Sequence, residues 1–111
     1  MQGSMKREQI ALHKGTNYFA KVFTVGYVTG SGNYLDFFIP VYIPDGLTVT
    51  DVTFLNTSVC IFGGASRQIG TPVSVSEQNK LGIVCEYQFS ATQPANNSAI
   101  VNLIGLTITC S

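Results

Sequence analysis

Thr24-Val25-Gly26-Tyr27-Val28-Thr29-Gly30-Ser31-Gly32-Asn33-Tyr34-Leu35-Asp36-Phe37-Phe38-Ile39-Pro40 reads as strand, turn, strand. Aromatic and β-branched residues suit a pleated, half-buried surface. The Thr-Gly-Ser-Gly-Asn between them is built for tight reversal and positive φ. Gly26 inside the first run marks a bulge or a close backbone approach. Pro40 cannot donate to a ladder, so the second run is an edge strand or bends there.

The same grammar continues outward from this hairpin. Residues 18–28 read as a long strand, with Phe19, Phe23, Val25 and Tyr27 on one face and Tyr18, Ala20, Val22 and Val28 on the other. Ile43-Pro44-Asp45-Gly46 is a turn signal, and residues 47–55 form the next strand. Val59-Cys60-Ile61-Phe62 is a short strand broken by Gly63-Gly64, with residues 65–71 as a loop. Residues 72–76 read as another short strand, and the polar Glu77-Gln78-Asn79-Lys80 as an exposed turn. Residues 81–90 alternate cleanly: Leu81, Ile83, Cys85, Tyr87 and Phe89 point one way. After a loop over residues 91–98 comes a last strand, residues 99–110. Here Ile100, Ile104, Leu106, Ile108 and Cys110 share a face, opposite Val101 and Leu103. Apolar on both faces, it belongs in the centre of the domain or under another chain.

Seven or eight strands with turns every 8–12 residues predict an all-β fold, an antiparallel β-sandwich or small jelly roll. Several strands are apolar on both sides, while a two-layer sandwich buries only one face of each sheet. The surplus faces need cover, which a symmetric oligomer supplies. The only plausible helix lies within residues 6–14, too short to stand alone in water. Residues 1–16 are therefore expected to be a remnant and linker, with Met1-Gln2-Gly3-Ser4 preceding a second start at Met5. The domain is expected to span residues 17–111.

Composition narrows the function classes. Charged residues are 11% of the 111, against about 25% in an ordinary domain, with Ser, Thr, Asn, Gln and Gly in their place. Such a surface suits packing against other chains, or a neutral ligand such as a sugar. The net charge is zero, but residues 1–21 carry +3 (Lys6, Arg7, Lys14, Lys21 against Glu8). Residues 22–111 carry −3 (Arg67, Lys80 against Asp36, Asp45, Asp51, Glu77, Glu86). A mildly acidic domain argues against nucleic acid as partner. No apolar run approaches the roughly 18 residues of a membrane span, and no secretion signal is visible.

Cys60, Cys85 and Cys110 each sit in an apolar run, and no C-x-x-C occurs. They read as small buried apolar residues rather than disulfide partners or zinc ligands. No metal or cofactor is expected. The single histidine, His13, lies in the expected linker, away from any nucleophile. Asp45 and Asp51 are the nearest carboxylate pair in sequence, but read as solvated turn and strand residues. An enzyme is not expected. Sugar sites on β-sandwiches use exposed aromatics and amide or guanidinium donors, so Tyr34, Arg67, Gln68, Gln93, Asn96 and Asn97, all in predicted loops or at their rims, are the candidate ligand-binding residues.

The stretch from Gly26 to Pro40 resembles a segment in C-terminal domains of phage and prophage tail-fibre or minor structural proteins of Gram-positive bacteria, with its "G-Y-V-T-x-S-G" and a strand ending "F-x-I-P". Asn96-Asn97-Ser98-Ala99-Ile100 and Leu106-Thr107-Ile108-Thr109 are similar to the family's near-terminal motif. The likeness covers residues 20–111. The chain departs from it at Cys110, where an aromatic is usual, and over residues 59–64, which lack the family's basic, glycine-rich wording. The resemblance implies a virion tail or baseplate module, assembled in the bacterial cytoplasm and commonly trimeric. It implies a structural or host-recognition role and no catalytic residues; a host cell-wall saccharide is the candidate ligand. The alternative is a carbohydrate-binding module of a bacterial surface protein.

Overall fold

A computed structural model of the chain describes residues 10–111, and over residues 76–79 their backbone alone. In chain order its strands are β1 (Ile10–Ala11), β2 (Gly15–Val28), β3 (Tyr34–Ile39), β4 (Val41–Tyr42), β5 (Val49–Thr53), β6 (Val59–Phe62), β7 (Ala65–Gln68), β8 (Ser74–Asn79), β9 (Gly82–Gln88) and β10 (Asn97–Cys110). No helix occurs among the described residues. The architecture is all-β, as expected.

Two fourteen-residue strands, β2 and β10, form the spine. They pair antiparallel from Asn97↔Val28 to Cys110↔Gly15. The main sheet runs β7-β6-β10-β2-β3-β9-β8, and β5 pairs with the far half of β10. On the edge of β10 away from β2, β6 therefore occupies residues 100–102 and β5 residues 107–110.

The exchange happens at Gly105, which adopts φ +61°. Before it, Ala99, Val101 and Leu103 face inward; after it, Leu106, Ile108 and Cys110 do. A strand's side chains alternate strictly, so only a backbone irregularity can move the buried set from odd to even positions. β2 makes the matching switch between Ala20 and Lys21. Phe19 turns inward beside Asn17, while Phe23, Val25 and Tyr27 face out. The bend carries β5 over the inner face of the first half, where Phe54 meets Phe37 edge-on at 6.0 Å. The β-sandwich is thus a continuous sheet whose two layers share β2 and β10.

The gap in the β10 ladder at the bend is closed by the Leu55–Ser58 turn. Ser58, fully buried, accepts the Ile104 N–H on its Oγ at 2.8 Å, and Leu55 N–H donates to the Ile104 carbonyl at 2.9 Å. Both backbone groups would otherwise be buried orphans. Asn17, also buried, receives the His13 N–H and donates to the Ile108 carbonyl at 3.1 Å.

Gly26 is a close approach, as expected: a Cβ there would lie 2.9 Å from the Asp36 carbonyl oxygen and 3.0 Å from Val101 Cγ2. Pro40 ends β3 and the chain leaves for a small parallel ribbon with β1. β3 itself lies between β2 and β9, so the bend reading holds and the edge reading does not.

Other expectations change. Residues 10–14 are not helical: Ile10–Ala11 form a strand and Leu12 is 2% exposed in the core, so the domain begins before the expected linker ends. Residues 6–9 of the expected helix lie outside the described residues. Gly63 and Gly64, at φ +59° and +76°, form a two-residue hairpin turn, so Ala65–Gln68 is a strand paired with β6 rather than a loop. The β8 backbone continues through Asn79, and the turn falls at Lys80–Leu81. Cys60, Cys85 and Cys110 are free and buried. Burial pushes the Cys85 thiol up to about 12 and raises the other two.

Candidate functional site

The outer face of the main sheet follows directly from its registers. One row runs Ile61↔Ile100↔Val25, with Phe38↔Val84 continuing it across β3 and β9. A second runs Val59↔Asn102↔Phe23, and a third Ser98↔Tyr27↔Asp36↔Glu86. The row through Ile61, Ile100, Val25, Phe38 and Val84 lies between the other two, and those five residues are all apolar. Val25 is 68% exposed, Phe23 63% and Ile100 55%, with Tyr27 and Ile61 also exposed. A shallow concavity of about 610 Å³ lies across this row, lined chiefly by Val25, Tyr27, Phe38, Ile61, Val84 and Ile100 with Asp36 at its end. Contiguous apolar surface beyond a few hundred Å² marks an interaction surface.

The two ends of the face carry opposite charge. At one, Lys21 on β2 holds its Nζ 5.3 Å from the centroid of the Phe23 ring. At the other, Asp36 and Glu86 stand directly opposite each other on β3 and β9. Desolvation, then the hydrogen bond and charge of Asp36, push the Glu86 carboxyl above its ordinary range. Like charges facing across a ladder are destabilising. Beside them Tyr27 donates its hydroxyl to Asn96 Oδ1 at 3.0 Å, which holds the ring at the rim.

The residues nominated from sequence scatter. Arg67 and Gln93 come together: Arg67 Nε donates to Gln93 Oε1 at 2.7 Å. Arg67 Nη1 donates to the Phe62 and Ala65 carbonyls, and its guanidinium stacks 3.8 Å from the Phe62 centroid. Their polar groups knit the β6–β7 hairpin to the loop before β10. Asn97 donates to the Pro94 and Ala95 carbonyls and shapes that loop. Asn96 sits at φ +59°, accepts the Tyr27 hydroxyl and donates its N–H to the Val28 carbonyl at 2.9 Å. Gln68 ends β7 opposite Val59, and Tyr34 starts β3 opposite Gln88.

Asp36, Glu86 and Lys21 were missed as site residues. The sequence signal was the apolar character of both strand faces; which charges border the outward one depends on pairings 50 residues apart. Asp45 and Asp51 are not a pair: Asp45 bridges to Lys80, and Asp51 lies opposite Thr109. His13 Nδ1 lies 2.8 Å from the Lys14 carbonyl oxygen. Among the described residues no three His, Cys, Asp or Glu side chains gather as metal ligands. No family model matches the chain, and neither a curated protein nor a solved structure shows significant similarity to it.

Proposed function

We propose that this chain is a structural assembly domain of a phage or prophage tail, a C-terminal head of a tail-fibre or baseplate protein that contributes to host receptor recognition. In this reading it acts as a homo-oligomer, trimeric by preference. Two different supports carry its two parts. The wording of residues 26–40 supports the tail assignment. The exposed side chains of Phe23, Val25, Tyr27, Ile61 and Ile100 support association, because a solvated sheet face is polar at its outward positions and the middle of this one is apolar.

A saccharide site built from the nominated loop residues has less support, since Arg67, Gln93 and Asn97 spend hydrogen bonds within the chain. Sedimentation velocity over a wide concentration range tests the association. The expected species has the mass of about three chains; a protomer that stays single at every concentration refutes it. Neighbouring genes for tail tape-measure and lysis proteins would support the tail assignment, and an unrelated metabolic operon would count against it.

A further inference from the structure

The outer face is polar along its length: cationic at Lys21, apolar through the middle, anionic at Asp36–Glu86. Lys21 and the Tyr27 row are six residues apart along β2, roughly 20 Å at about 3.3 Å per residue. No lysine side chain spans that distance, so the two ends cannot neutralise each other within one chain. Each end also has a built context. The Lys21 ammonium lies along the face against Phe23, and Asp36 and Glu86 stand opposite each other on β3 and β9, starting one strand beyond Tyr27. Among the described residues neither Asp36 nor Glu86 makes an ion pair, and the same surface offers a cation.

We propose that the occupant of this face is a second copy of the chain, docked so that Lys21 of one copy meets Asp36 and Glu86 of the next while the Val25–Ile100 rows stack between them. This rests on the self-association proposed above, though not on its trimeric count, and adds the surface and its polarity. A face stacked on its own copy with the ends exchanged closes as a twofold pair, and a third copy would join through another surface. Area is consistent with it. At roughly 150–200 Å² per large side chain, the exposed fractions of Phe23, Val25, Tyr27, Ile61 and Ile100 amount to roughly 450 Å². That is more than half of the about 800 Å² per partner in a standard interface. The ends then set orientation, because the opposite docking would put carboxylates against carboxylates.

The test is a charge swap on the full chain, read by sedimentation equilibrium with circular dichroism as the check on folding. Lys21→Glu, and separately Asp36→Lys with Glu86→Lys, are each expected to weaken association at least about tenfold. Combining all three substitutions in one chain is expected to restore it, which loss of folding cannot do. Ile100→Asp is the second probe and is expected to abolish association whatever the ends carry. Association that survives both charge variants but not Ile100→Asp overturns the polarity and leaves self-association standing. Association untouched by all of them puts the contact on another face and overturns the inference alone. A wild-type chain that never associates overturns the inference and the association reading together.

Discussion

Replacing Gly105 tests the device on which both the core and the outer face depend. At φ +61° an L residue with a Cβ incurs about 1–2 kcal/mol of left-handed strain. The added Cβ would also lie 2.9 Å from Leu55 Cγ and 3.0 Å from its Cδ1. Leu55 is 55% exposed, so its side chain can swing aside, and the backbone term dominates. Removing glycine also restricts the unfolded chain, which returns about 0.4–1 kcal/mol. Gly105→Ala is therefore expected to destabilise by about 0.5–1 kcal/mol net, a Tm drop of about 2–6 °C for a domain of this size. Gly105→Asn, which tolerates the left-handed region, is expected to cost less, and Gly105→Val, β-branched, more.

Urea unfolding gives the free energies, and thiol labelling gives the geometry. If the strand straightens instead of tolerating the strain, Leu106, Ile108 and Cys110 rotate outward. Cys110, 3% exposed in the native fold, then reacts with a thiol reagent under native conditions. An alanine variant as stable as the parent, with Cys110 still protected, would refute the argument that the bend is imposed on β10 by a conformation only glycine adopts freely.

Ser58→Ala should cost about 1–3 kcal/mol in urea unfolding, because the buried Ile104 N–H loses its acceptor; Ser58→Thr should recover part of it if the added methyl fits. For Glu86, the folded state holds its proton more tightly than the unfolded chain, so stability falls as pH rises through that window and the repulsion from Asp36 is in force above it. Glu86→Gln should then stabilise the dilute protomer by about 0.5 kcal/mol at pH 7 and by nothing once Glu86 is protonated, in paired melts at the two pH values. Cys85, its thiol pushed up to about 12, contributes stability that is complete below the ordinary thiol range and is lost as pH rises toward 12. Cys85→Val should flatten the alkaline limb of the stability curve, and an unchanged limb would count against that origin.

Much of the fold was legible in the residues. The 24–40 hairpin, the turn at Asp45–Gly46, the short strand at residues 59–62 and the alternation of residues 82–88 are local patterns. Local sterics and side-chain periodicity decide them without reference to the rest of the chain. The same holds for the burial of three unpaired cysteines and for the surplus of apolar strand faces. The nominated loop residues were chosen for their chemistry alone, and chemistry does not reveal whether a hydrogen-bonding group is already satisfied. Arg67 looks like a binding residue in sequence and is held by three acceptors in the fold.

What the chain alone determined was the class: all-β, glycine- and proline-punctuated, with more apolar strand surface than one sandwich hides. Tertiary structure decided which of those surfaces faces water. A period-2 pattern names two faces but not which is inside, and one residue in a left-handed conformation exchanges them partway along a strand. Gly105 and the matching switch at Lys21 put Val101, Leu103, Leu106 and Ile108 together in the core and left Val25 and Ile100 outside. The juxtaposition of Asp36 with Glu86, and their separation from Lys21, likewise follow from strand pairings between distant residues, which no local pattern encodes.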